Sequence, residues 1–125
     1  MTPSNTRKTF SFIARWKSIT IAFTGLIDFF RKEHNALIHL ISTVIVCWLS
    51  FFLSVSKIEG VALVIVIGFV WSAEIFNTAI ESVMDFLHPT NHDAVRRIKD
   101  VSAAAVLVAS ITALITGALI FIPKF

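Results

Sequence analysis

The chain has 125 residues, 56% of them hydrophobic, and its mean hydropathy is +0.82. A chain that short cannot hide so much apolar surface from water, which excludes an ordinary soluble domain and points to one membrane-embedded domain over residues 1–125. The pI of about 9.4 rests on a net charge of only +3, so no nucleic acid is expected as a partner, and where the bases lie matters more than how many there are.

The first segment, residues 6–32, is amphipathic. Phe12, Trp16, Ile19, Phe23, Leu26, Ile27 and Phe30 share an arc of about 100° at helical spacing, with Lys17, Thr24, Asp28 and Arg31 opposite. This pattern predicts a helix lying in the membrane interface, aromatic rings inward and bases toward anionic headgroups. The alternative for such a helix is packing on a soluble partner.

Three hydrophobic helices follow, predicted over about residues 34–55, 58–87 and 94–122. The first is opened by Glu33, His34 and Asn35, carries His39, and is uncharged from Ala36 to Val55. It contains Cys47, the chain's single cysteine, which allows no internal disulfide. The short turn from Ser54 to Gly60 makes the second helix its antiparallel neighbour. That helix should end at His88-Pro89, because proline cannot continue a helix and restricts the residue before it. The third apolar run, Val101 to Ile122, is long enough to cross a bilayer, and Ala109, Ala113 and Gly117 repeat every four positions in it, permitting close helix contact.

The distribution of bases sets the orientation. Arg7, Lys8, Arg15, Lys17, Arg31 and Lys32 precede the first span, and Arg96, Arg97 and Lys99 lie in or just after the loop that follows the second. The positive-inside rule then puts the N-terminus and that loop in the cytoplasm and the C-terminus outside.

The second span carries the chemistry. Its cytoplasmic half reads EIFNTAIESVMD from Glu74 to Asp85, and Glu74, Asn77, Glu81 and Asp85 fall within an arc of about 80°. Ionised carboxylates in hydrocarbon are too costly to face lipid, so the stripe must face protein, water or a metal. It extends about 16 Å along the axis, from inside the bilayer to its surface. Such a stripe suits a reaction between a water-soluble reagent and a lipid. Surface carboxylates can hold Mg2+, which takes oxygen ligands and shares them with substrate phosphates. A deeper one can accept the proton of a lipid hydroxyl, and Lys99 can neutralise phosphate charge. No GxxxxGK[ST] or GxGxxG nucleotide loop is present.

EIFNTAIESVMD, with KDVSAAAV at Lys99 to Val106, resembles the signature of the small bacterial membrane lipid kinases, the prokaryotic diacylglycerol kinase and undecaprenol kinase family. Ala22, Gly25-Leu26, Glu33, Asn35, Ile38 and His39 match its N-terminal pattern, and the resemblance spans about Arg15 to Ala118. It implies an all-α membrane protein of the bacterial inner membrane, an interfacial helix plus three transmembrane helices, assembled as a homotrimer with active sites between subunits. The implied activity is ATP-dependent phosphorylation of a lipid hydroxyl. Glu74 matches the family's catalytic base, and Glu33 and Glu81 its Mg2+ ligands. Asn77, Lys99 and Asp100 match nucleotide-site residues, and Asn91 and His92 a loop that also touches ATP. Asp85 matches an acid in a supporting role. Two departures lie near the N-terminus: an arginine of the pattern is displaced, with Arg15 nearest, and an aromatic position is Ile21 here. They bear on the adenine-side contacts.

Individually these residues have plainer explanations. Glu33 can cap a helix, His39 can be a histidine bonded between helices, Asn77 can be interhelical glue, and Lys99 with Asp100 can be a surface pair of little worth. Two other function classes compete: a small transporter with a carboxylate proton relay, and a non-enzymatic scaffold. A stripe reaching the surface beside Lys99 favours phosphoryl transfer over the first, and buried charges without a purpose disfavour the second. Diacylglycerol and undecaprenol both remain open as acceptors; the Glu33-x-Asn35 and Ile38-His39 pattern is closer to the undecaprenol kinases.

Overall fold

The computed structural model describes residues 11–88 and 92–125, and all of their regular structure is helical. Residues 6–10 of the expected interfacial helix and Asn91 lie outside the described residues.

Helix α1 spans Phe12–Lys32 and ends on Arg31 and Lys32. Ser18, Thr20 and Thr24 donate their hydroxyls to the carbonyls of Ala14, Trp16 and Thr20 at 2.9–3.1 Å, so these side chains need no outside partner in an apolar setting. Much of its aromatic arc is exposed, Phe12 to 81% and Trp16 to 73%.

The remaining chain forms a second unit, residues 33–125, built from α2 (His34–Phe52), α3 (Lys57–Leu87) and α4 (Asp93–Phe121), closed by a 3-10 turn at Ile122–Lys124. All three helices are long and apolar enough to cross a membrane. Their outward side chains remain exposed, among them Phe51, Val64 and Leu119. Water would penalise so large an apolar surface, whereas hydrocarbon does not.

α2 stops three residues before the apolar run does. Ser54 takes a left-handed conformation, φ 49°, and the chain closes with Val55 N–H donating to the Ser50 carbonyl at 3.0 Å and Ser54 N–H to that of Phe51 at 3.4 Å. This is a Schellman closure with serine where glycine usually stands, so Leu53 to Val55 belong to the turn. α3 then opens with a capping box: Ser56 Oγ accepts from Glu59 N–H at 3.3 Å, and Glu59 Oε2 from Ser56 N–H at 2.8 Å. Lys124 Nζ reaches the same carboxylate at 3.1 Å, tying the chain's end to the start of α3.

α3 ends at Leu87, before His88-Pro89 as expected, and α4 starts at Asp93 with His92 as its N-cap. Antiparallel register follows from the cross-helix pairs. His39 meets Glu74 and Thr43 meets Trp71, while Asn77 meets Ser102 and Asp85 meets Lys99. The start of α2, the end of α3 and the start of α4 therefore share one end of the unit.

Candidate functional site

With a 1.5 Å rise per residue, the 31 residues of α3 extend about 46 Å, well beyond a hydrocarbon core of about 30 Å. Counting from Lys57, Glu74 lies about 26 Å along, Glu81 about 36 Å and Asp85 about 42 Å. Measured from Lys57, Glu74 lies within about 30 Å, whereas Glu81 and Asp85 lie farther along the helix than that. Burial follows the same order: Glu74 is 2% exposed, Glu81 intermediate and Asp85 exposed.

The three acids share a face but not a partner. Glu74 Oε2 faces His39 Nε2 of α2 at 3.8 Å, and Oε1 is buried with no hydrogen bond among the described residues. One turn on, Asn77 is held on both sides of its amide: Oδ1 accepts from Ser102 Oγ of α4 at 2.6 Å, and Nδ2 donates to Glu81 Oε1 at 3.0 Å. Ser102 Oγ also lies 2.9 Å from the Lys99 carbonyl, so its single proton has two acceptors to choose between. At the surface, Lys99 Nζ donates to Asp85 Oδ1 at 2.5 Å. The result is a polar ladder, with α2 supplying its deepest rung and α4 the other two.

An apolar groove of about 550 Å³ runs between α2, α3 and α4, with Val46, Ile67, Ala113, Gly117 and Phe121 on its walls. Its polar lining comes from His39, Ser42, Thr43, Trp71 and Ser110, so His39 borders both the groove and Glu74. Of the small-residue stripe on α4, Ala109 is buried within the chain, while Ala113 and Gly117 line this groove.

Comparison with known proteins gives the chain a family. Residues 20–121 match the family model described as prokaryotic diacylglycerol kinase. The chain belongs to this family. It is 34% identical to the undecaprenol kinase of Bacillus subtilis (strain 168) over 109 residues, covering 87% of this chain and 89% of the relative. It is 36% identical to the diacylglycerol kinase of Escherichia coli (strain K12) over 110 residues, 88% of this chain and 84% of the relative. A diacylglycerol kinase of Synechocystis sp. is 32% identical over 107 residues, 85% of this chain and 61% of that one. Three spanning helices and this membership make the chain a membrane protein.

The structure brings some of the expected site residues together and leaves others apart. Glu74 is with His39, Asn77 with Glu81, and Lys99 with Asp85 rather than in a surface pair with Asp100, which is exposed on α4. Glu33 occupies the N-cap position of α2 in an extended conformation, φ −101° and ψ 115°, yet its side chain makes no capping hydrogen bond. Of the plain explanations of Glu33, a side-chain cap is not seen, and a place at the membrane interface stays open. His92 does cap: its Nδ1 accepts from Ala94 N–H at 3.2 Å, and its ring lies 6.1 Å from that of His88. No group of three or more His, Cys, Asp or Glu able to hold a metal is found among the described residues.

Two residues went unassigned in the sequence. Ser102 sits in an alanine-rich run and reads as a small packing residue, although KDVSAAAV places it three positions after Lys99. His39 was visible as a polar residue in an apolar span, but its distance from Glu74 depends on how α2 and α3 pair.

Proposed function

We propose that the chain transfers the γ-phosphoryl group of ATP to the hydroxyl of a membrane lipid, diacylglycerol or undecaprenol, with Glu74 as general base. The observation that carries this is Glu74 itself, a carboxylate buried within an apolar spanning helix with one oxygen that meets no donor among the described residues. A buried acceptor is costly to leave unmet, so the site is built to receive a donor from outside the chain. A lipid hydroxyl that never leaves the interface is such a donor. As the hydroxyl oxygen forms its bond to the γ-phosphorus, the bond to ADP breaks and the proton passes to Glu74. The apolar groove that His39 borders offers a wall for the lipid's hydrocarbon chain.

The nucleotide belongs at the surface end of the ladder. Asn77, Lys99, Asp100, Asn91 and His92 are the proposed nucleotide contacts, with Lys99 shared between Asp85 and phosphate. Glu33 and Glu81 are the proposed Mg2+ ligands. The donor set fits: Mg2+ is usually held by one or two carboxylates together with substrate phosphates, so a cage of three protein acids is not needed. The Glu33 carboxylate is not consumed by capping, and Asn77 uses only one oxygen of Glu81 as far as its own bond goes. Magnesium in that position supplies charge neutralisation on the phosphates.

We further propose a homotrimer. α2 leaves most of its apolar face uncovered, and Glu33 opens that helix with a side chain that makes no capping bond, so a neighbouring copy packed on α2 could share it in the nucleotide site. α1 is proposed to lie on the cytoplasmic membrane surface, with the N-terminus inside and the C-terminus outside, as the bases require. Spin labels along Phe12 to Phe30 should show helical periodicity in lipid exposure, and uniform water exposure would rule out that placement. For the activity, purified protein is assayed with labelled ATP against diacylglycerol and undecaprenol in parallel. Label entering neither lipid overturns the proposal; label entering one names the acceptor.

A further inference from the structure

His39 is placed more firmly than a packing histidine needs to be. Its side chain is only 17% exposed, and its ring meets that of Trp71 edge-on, centroids 6.0 Å apart at 66°. Trp71 Nε1 donates to Thr43 Oγ1 at 3.1 Å, and Thr43 Oγ1 in turn donates to the His39 carbonyl at 2.7 Å. Trp71 stands three residues before Glu74 on α3, on the same face. These contacts join α2 to α3 beside Glu74 and set the His39 ring against Trp71, on the face of α3 that carries the carboxylate. What remains is a 3.8 Å separation between His39 Nε2 and Glu74 Oε2, too long for a formed hydrogen bond and within ion-pair range.

We infer that His39 is a positioning residue for phosphoryl transfer, its Nε2–H donating to Glu74 Oε2 in the lipid-bound site so that Oε1 is aimed at the acceptor hydroxyl. This rests on Glu74 being the base. The two carboxylate oxygens then have separate duties. Oε2 is held by the imidazole, and Oε1, which meets no donor among the described residues, takes the proton. The lipid O–H bond breaks as the O–P bond forms, ADP leaves with the electron pair of the broken P–O bond, and the proton stays on Oε1. His39 keeps its own proton throughout. A carboxylate without a fixed oxygen can rotate about its terminal torsion and present the other oxygen off-line. A misplacement of about 1 Å in such a geometry costs on the order of 10²-fold in rate.

The test compares H39A, H39N and H39Q in detergent, each with oligomer size and ATP affinity measured beside turnover on whichever of the two lipids the parent accepts. A glutamine amide reaches the place of Nε2, while an asparagine amide ends near Nδ1. H39A and H39N should lose about 10²-fold in kcat with the ATP KM unchanged, and H39Q should stay within about tenfold of the parent. Placed on E74Q, H39A should lower the residual rate no further, because it acts only through that carboxylate. Equal turnover of H39Q and H39N overturns the proposal, as does an H39A loss just as large on E74Q as on the parent. If H39A does not assemble, the H39Q and H39N pair decides alone. Normal turnover by E74Q would instead bring down the base assignment itself, an outcome distinct from either.

Discussion

Replacing Glu74 with glutamine separates a catalytic carboxylate from a structural one, because the two make opposite predictions for stability. The side chain is 2% exposed, one oxygen has no donor among the described residues, and the other is 3.8 Å from His39. A buried acceptor left unmet costs about 1–3 kcal/mol, more for a charged group. Glutamine keeps the shape, removes the charge and adds a donor that can point toward the imidazole. The E74Q protein should therefore be at least as stable as the parent, and about 1 kcal/mol more stable if the amide finds a partner. Turnover should fall by about 10² to 10⁴, the usual loss of a well-placed base, while Mg-ATP still binds through groups about 10 Å nearer the surface along α3. The assay is kinase rate, nucleotide affinity and thermal unfolding on one detergent-solubilised oligomeric sample. A variant that is less stable and loses nucleotide binding with turnover would refute the reasoning, since that pattern belongs to a residue that holds the fold. Such an exchange of stability for activity is expected where a site keeps a poorly satisfied polar group.

Glu81→Gln should weaken metal-dependent nucleotide binding, since the amide loses the charge that attracts Mg2+; titration of ATP affinity against Mg2+ that matched the parent would remove the ligand assignment. Native mass measurement in detergent should find a trimer as the active species, and an active monomer would end that proposal. Ser54→Gly should stabilise the α2–α3 turn by up to about 1 kcal/mol, because serine is held at φ 49° where glycine carries no Cβ penalty; an unchanged or lowered unfolding temperature would contradict it.

The apolar runs and Pro89 were enough to place three spanning helices within a few residues, since both signals are local. The end of α2 was not, because the turn is set by Ser54 adopting a left-handed conformation, and nothing in the composition of Leu53 to Val55 announces it. The same limit applies at the site. Helical periodicity puts Glu74, Asn77, Glu81 and Asp85 on one face, and there the sequence suggests one acidic cluster. A shared face is not a shared site: at 1.5 Å per residue the ends of the stripe are about 16 Å apart, too far for carboxylates to act on the same atoms. The structure resolves the stripe into three pairs along α3: His39 of α2 for Glu74, Asn77 of α3 itself (held in turn by Ser102 of α4) for Glu81, and Lys99 of α4 for Asp85. Helix pairing, not spacing along α3, selects His39 and Lys99, and only the Asn77–Glu81 contact follows from helical spacing. The pairing also makes the deepest rung unlike the others. Glu81 and Asp85 already accept hydrogen bonds from the chain, whereas Glu74 alone of the three has an oxygen that is buried and meets no donor among the described residues. The proposal that Glu74 takes the proton rests on this difference in polar satisfaction rather than on the acids' order in the sequence.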